Sequence, residues 1–229
     1  MTLPFDEQTE EIGRASAPFG HVLVKPRPGF YRNRVKRGLD IALVLIGGII
    51  VLPVILVLAL LVALDGSSPF YRSPRVGRGG RTFQMLKLRT MVPDADRQLE
   101  NYLNSNAEAR LEWNSTQKLK ADPRITRLGR FLRKTSLDEL PQLWNVLVGD
   151  MSLVGPRPMM PEQRVLYSGL AYYSLRPGIT GPWQISERNE TTFSKRAEFD
   201  LDYDRNLSFA TDLRILLKTF GVVLRGTGY

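Results

Sequence analysis

Between Asp40 and Asp65 the chain carries no charge. Residues 41–64 form an apolar run of about 24 residues, more than the roughly 20 that a helix needs to cross a hydrocarbon core. It begins too late, and lacks the small-residue cleavage site, to be a secretory signal peptide. Basic residues flank both ends: Lys25, Arg27, Arg32, Arg34, Lys36 and Arg37 before it, Arg72, Arg75, Arg78 and Arg81 after it. Because positive charge stays on one side of a membrane, these flanks assign both ends to the same side.

Pro53 stands at the middle of the run. It removes a backbone donor and its ring crowds the carbonyl of Ile49, so a kink is expected there. Each arm has about 11–12 residues, or roughly 17–18 Å of helix, too short to cross a core of about 30 Å alone. A kinked helix that enters and leaves by one leaflet satisfies charge, length and proline together. An ordinary spanning helix with a tolerated proline is the alternative.

The remaining chain reads as a mixed domain. Residues 1–19 hold Asp6, Glu7, Glu10 and Glu11 with little apolar periodicity, as a mobile tail would. Residues 81–89 alternate polar and apolar side chains at several positions, which suits a short strand. Residues 99–119 are polar and expected to be helical. Residues 138–148 carry Leu140, Leu143, Trp144 and Leu147 at helical spacing, with Gly149 as a stop. Residues 206–225 mix apolar side chains with Arg214, Lys218 and Arg225; this fits a helix lying on a membrane surface, or equally a core helix with a solvated face.

Lys and Arg outnumber Asp and Glu by 32 to 23, a formal charge of +9, which points to anionic partners. There is no cysteine and a single histidine, His21. That excludes disulfides and Cys-ligated metals, and disfavours a zinc site or a Ser-His triad.

Chemistry concentrates at Thr135-Ser136-Leu137-Asp138-Glu139-Leu140-Pro141. Ser136 with Glu139 three residues on matches a capping box, and acids at a helix start suit its dipole. Yet Arg124, Arg127, Arg130, Arg133 and Lys134 precede the pair, and arginines with helix-start amides form a phosphate site. Two adjacent carboxylates there could bind Mg²⁺ and attack phosphorus, since a carboxylate is a competent nucleophile and Mg²⁺ binds through one or two carboxylates plus phosphates. In Gly155-Pro156-Arg157-Pro158 the prolines restrict Arg157, either as a preset phosphate arm or as a rigid turn. In residues 176–183, a stiff Gly/Pro segment, Trp183 could stack on a base or lie buried.

Taken in order, Lys36-Arg37-Gly38-Leu39-Asp40, Phe83-Gln84-Met85-Leu86-Lys87-Leu88-Arg89-Thr90-Met91, Asp122-Pro123-Arg124-Ile125-Thr126-Arg127-Leu128-Gly129, Ser136-Leu137-Asp138-Glu139-Leu140-Pro141-Gln142-Leu143, Gly149-Asp150-Met151-Ser152-Leu153-Val154-Gly155-Pro156-Arg157-Pro158 and Arg176-Pro177-Gly178-Ile179-Thr180-Gly181 resemble the bacterial sugar transferases, the monotopic polyprenyl-phosphate phosphoglycosyl transferases. The likeness runs from about Tyr31 to the C-terminus.

The resemblance implies a ping-pong transfer of hexose-1-phosphate from a UDP-sugar to undecaprenyl phosphate, with release of UMP, on the cytoplasmic face of the bacterial inner membrane. Asp138 matches the nucleophile and Glu139 its Mg²⁺-associated partner. Lys87, Arg133, Arg157 and Arg188 match basic positions expected to contact phosphate or nucleotide. Arg89, Arg124, Arg127 and Arg176, within the quoted motifs, join them as candidates. Two departures stand out: Leu52 precedes Pro53 where Ser is common, and Ser186-Glu187 precede Arg188 where Asn-Gly is common.

The expected architecture is α/β and mostly helical: residues 1–30 a mobile tail, 31–66 a Pro-kinked re-entrant membrane helix with its basic flank, and 67–229 a small cytosolic catalytic domain with interfacial amphipathic helices. The chain resembles the minimal form of the family. Expected partners are the UDP-sugar, the lipid phosphate and membrane lipid; no nucleic acid is expected, and homo-oligomerisation stays open, as does the sugar. The rival reading is a membrane-tethered basic module that binds anionic lipid or nucleic acid without catalysis. It explains the charge but not Asp138-Glu139 amid arginines.

Overall fold

The computed structural model describes residues 27–116, 119–186 and 195–224; most of the N-terminal tail and Arg188 lie outside them. After one π-helical turn, Tyr31–Val35, the apolar run folds as helix α1, Lys36–Ala63, continuous through Gly47, Gly48 and Pro53. Only 6% of its most apolar window is buried, and Ile49 and Ile50 are 77% and 76% exposed. A continuous apolar surface of this size, on a helix long enough to cross a bilayer, marks α1 as a candidate membrane anchor.

Both ends of α1 are tied to the same folded domain. At its start the buried Asp40 carboxylate accepts from Ser152 Oγ at 2.7 Å and from the Leu153 amide at 3.2 Å. Arg37 donates to the carbonyls of Val146 and Leu147, and Lys36 pairs with Asp212 at 2.6 Å. At its end Arg89 donates to the Val62 carbonyl at 3.1 Å and pairs with Asp65 at 2.6 Å. That guanidinium covers a helix end whose carbonyls have no partner within the helix. Packing repeats the pattern. Val44 clusters with Met85, Val146 and Met151, whereas Leu58, Ala59 and Val62 cluster with Leu88 and Leu132.

Strands β1, Phe70–Val76, and β2, Thr82–Leu88, pair antiparallel from Phe70↔Leu88 to Val76↔Thr82. The expected strand over 81–89 is present. The buried Asn145 closes the other edge of β2: its Oδ1 accepts from the Leu86 amide at 2.9 Å and its Nδ2 donates to the Gln84 carbonyl at 2.8 Å. The polar segment expected as helix divides into α2, Ala95–Ser105, and α3, Ala107–Thr116. The break falls at Asn106, extended in backbone, whose side chain accepts from the Ala109 amide at 3.0 Å and caps α3.

Helix α4, Arg127–Lys134, is capped by Thr126. A 3-10 turn, Leu137–Glu139, then precedes α5, Gln142–Val148, which Gly149 ends with φ 95° where the sequence placed its stop. The segment read as a Gly/Pro loop contains a strand instead. β3, Ser152–Val154, pairs parallel with β4, Gly178–Thr180, because two glycines let the backbones close: a Cβ on Gly178 would lie 2.1 Å from the Gly155 amide. Helices α6, Ala171–Ser174, and α7, Pro182–Ile185, are single turns.

Helix α8, Arg196–Asn206, leads into α9, Phe209–Leu224. This last helix exposes Phe209, Leu213, Leu217 and Phe220 while burying Asp212 and Ile215. It is therefore a docked helix with an apolar outer stripe, and Tyr31 packs edge-on against Phe209 beside the start of α1. The whole is mostly helical, with two small sheets.

Helix α4 passes so close to Thr90 that a Cβ on Gly129 would lie 2.0 Å from the Thr90 carbonyl oxygen, a backbone atom that cannot swing aside. Gly129→Ala is expected to destabilise the domain by about 2–3 kcal/mol, as overpacking does. Thermal unfolding of the purified variant would show it; an unchanged midpoint would mean that the two segments separate freely.

Candidate active site

The turn that carries Asp138 and Glu139 departs from the sequence reading. The expected capping box does not form. Ser136 sits in the left-handed region with φ 56° and its side chain caps nothing, while Glu139 reaches Lys87 at 2.8 Å. The helix begins later, at Gln142, because Pro141 has no amide hydrogen to donate and suits only a helix start. Asp138 and Glu139 are thus freed from capping and lie on a turn of their own. A non-glycine residue held at positive φ costs about 1–3 kcal/mol and is tolerated where surrounding structure over-determines it.

Asp138 is 7% exposed. Lys87, reaching across from β2, places Nζ 3.5 Å from Asp138 and 2.8 Å from Glu139. Burial pushes the Asp138 carboxyl above its ordinary range; Lys87 and Arg133 pull it back and the Glu139 charge pushes it up again, with the net shift upward. Arg133 is held by a bond from Nε to Thr90 Oγ1 at 2.9 Å. The result is a desolvated carboxylate with a second carboxylate adjacent and two cations in range. Such a group is under-solvated for a charged species and is available to an electrophile or a cation.

Among the described residues no group of three or more His, Cys, Asp or Glu side chains could enclose a metal. Asp138 and Glu139 supply two carboxylates, a donor set that suits a Mg²⁺ whose other ligands are waters and substrate phosphates, not an all-protein cage.

The remaining candidates divide. Arg124 pairs bidentately with Asp122, 2.9 and 2.7 Å, and lies against the Trp113 ring. Although burial pushes the Asp122 carboxyl up, the Arg124 bonds outweigh it and hold it below its usual range. Arg124 therefore braces the loop before α4, and Arg89 braces the end of α1; both have structural partners away from the dyad. Arg127 is exposed on the first turn of α4. Arg157 lies 5.4 Å from the Trp183 ring, and Arg196 lies 4.2 Å from the same ring. Trp183 thus spends its π surface on guanidiniums, and burial beside Arg157 lowers the Arg196 pKa to about 10. Arg176 binds the Gly149 carbonyl at 3.0 Å and lines a separate cavity. Arg188 lies outside the described residues. The sequence reading missed Thr90 and the Asp122–Arg124 pair; the Asp122-Pro123-Arg124 spacing was the available signal.

The bacterial sugar transferase family matches residues 31–226. The UDP-galactose-lipid carrier transferase of Erwinia amylovora is 49% identical over 181 residues, 78% of this chain and 38% of that protein. The exopolysaccharide production protein ExoY of Rhizobium meliloti is 41% identical over 220 residues, 93% of this chain and 96% of that protein. The undecaprenyl-phosphate galactose phosphotransferase of Salmonella typhimurium is 46% identical over 196 residues, 85% of this chain and 41% of that protein. The chain spans about two fifths of the Erwinia and Salmonella relatives and nearly all of the Rhizobium one.

Because Lys87 lowers a carboxyl that burial raises, Lys87→Met should move the Asp138 pKa further up. The ionised form, dominant above that pKa, would then take over at higher pH than in the wild type. Carbon NMR titration of aspartate-labelled protein checks this; an unmoved or lowered midpoint would uncouple Lys87 from Asp138.

Proposed function

Because the chain belongs to the bacterial sugar transferase family, we propose that it transfers a hexose-1-phosphate from a UDP-sugar to undecaprenyl phosphate, as a first membrane step of exopolysaccharide or related glycan synthesis. The observation that carries the chemistry is the buried Asp138 carboxylate, released from helix capping and flanked by Glu139 and Lys87. A carboxylate stripped of water is a stronger nucleophile than a solvated one.

In the proposed reaction an Asp138 oxygen attacks the phosphorus that bears the sugar. A bond forms between that oxygen and phosphorus, the bond to the bridging oxygen breaks, and UMP leaves with the electron pair. An oxygen of the lipid phosphate then attacks the same phosphorus, and the aspartyl–phosphorus bond breaks to restore the carboxylate. Asp138 and Glu139 would hold Mg²⁺, which supplies charge neutralisation for the diphosphate. Lys87 and Arg133 are placed to offset the charge of Asp138 and of phosphate oxygens.

We place the domain on the cytoplasmic face of the bacterial membrane, with α1 re-entrant. Support comes from the ties at both ends of α1 to one polar domain. In a straight helix Val44 and Val62 would be about 27 Å apart. Yet their clusters include Met85 and Leu88, only about 10 Å apart on β2. A bend at Pro53 would bring both arms back toward that strand. The apolar stripe of α9 then lies along the interface.

Three outcomes are expected. Labelled UDP-sugar without lipid acceptor should leave sugar phosphate on wild-type protein and none on Asp138→Asn, which keeps its fold; equal labelling of both would remove Asp138 from the role. Excess chelator should stop UMP release and Mg²⁺ should restore it, so full activity in chelator would refute the metal assignment. The chain has no cysteine, so a Ser16→Cys probe can report topology. An impermeant thiol reagent should not reach it in intact cells, whereas with Pro53→Leu a fraction should react. Labelling of the probe in the otherwise wild-type chain would establish a spanning helix.

A further inference from the structure

A second cationic centre lies away from Asp138. Arg78 and Arg81, on the turn joining β1 to β2, and Arg176, just before β4, line a cavity of about 680 Å³ with Asp150, Phe83 and Tyr173. Three arginines and one aspartate thus line it. Arg176 is held by its Nε bond to the Gly149 carbonyl, and burial together with the nearby Arg78 and Arg37 charges lowers its pKa. The cavity shares no lining residue with the Asp138 cluster, and α5 separates them: the dyad precedes its first residue and Gly149-Asp150 follow its last, roughly 10 Å along the axis.

Its depth is set by neighbours. Gly149 approaches Arg37, which binds the last carbonyls of α5. Arg37 stands about one helical turn, roughly 6 Å, before the first residue of the apolar run. Val148, directly before Gly149, is an exposed apolar side chain on the face that also exposes Trp144. On the membrane placement proposed above, the cavity wall would meet the boundary where acyl chains give way to headgroups, and clustered guanidiniums at that depth would match phosphodiester oxygens.

We propose that this cavity binds the phosphate of an anionic lipid headgroup, at a site separate from the transfer centre. The proposal rests on the membrane placement and not on the transfer reaction, and lipid retention is read without turnover, so the two can fail independently.

The test is native mass spectrometry of the full chain in detergent, titrated with phosphatidylglycerol, with phosphatidylcholine as the neutral comparison and UMP as competitor. Arg78→Gln/Arg81→Gln alters two exposed side chains, and Arg214→Gln/Lys218→Gln removes equal charge from the exposed face of α9. One retained phosphatidylglycerol per wild-type chain is expected, weakened about 10-fold or more in the first pair and nearly unchanged in the second. Equal retention of phosphatidylcholine, or equal loss in both pairs, would overturn the site as generic surface attraction. Displacement by UMP would assign the same guanidiniums to a soluble nucleotide and overturn the lipid.

Discussion

An apolar helix that ends at a polar boundary leaves amides and carbonyls without partners, and this fold depends on how those ends are met. Asp40 is buried against Ser152 and the Leu153 amide at one end; Arg89 covers the Val62 carbonyl and pairs with Asp65 at the other. A buried, bonded charge is costly to strand, so the Asp40 tie cannot open without leaving a buried ion uncompensated, whereas Asp65 faces water and the Arg89 tie rests on its bond to the Val62 carbonyl. Both ties run to segments that also hold the candidate site. Arg89 follows β2, which carries Lys87, and Ser152 opens β3, just past α5. The membrane element and the proposed reaction centre are therefore parts of one packed unit.

At that centre the same physics is used in reverse. Three other buried carboxylates are each stabilised by a close cation: Asp122 by Arg124, Asp204 by Arg32, Asp212 by Lys36. Asp138 is buried with Lys87 at 3.5 Å, Arg133 in range and a neighbouring acid, and burial dominates. The left-handed Ser136 and the helix-delaying Pro141 bracket it, giving a local geometry that neither capping nor packing would select alone.

Much of this was legible from the sequence, for identifiable reasons. The membrane helix announced itself because apolar length is a one-dimensional property. The end of α5 followed from Gly149, whose positive φ suits glycine, and the hairpin strand followed from partial alternation. The capping box failed because Ser136 and Glu139 satisfy the spacing while the backbone at Ser136 takes another conformation, set by how α4 ends. The β3–β4 pair was invisible because parallel pairing joins segments more than twenty residues apart, with few residues in each strand. The partners of Arg89 and Arg124 were not legible, because a guanidinium's partner is chosen in three dimensions; the structure pairs them with Asp65 and Asp122.

Asn145 has a reach beyond its own packing. Its amide bonds to Gln84 and Leu86 as a neighbouring strand would, so the edge of β2 is closed by one side chain projecting from a helix. In a strand a slip of a single residue sends every side chain to the opposite face. Lys87 follows Leu86 directly, and its ammonium has only 2.8 and 3.5 Å to its two carboxylates. The aim of that lysine thus depends in part on an amide that touches neither carboxylate: beside the pairing with β1, Asn145 works as an alignment pin between α5 and the strand.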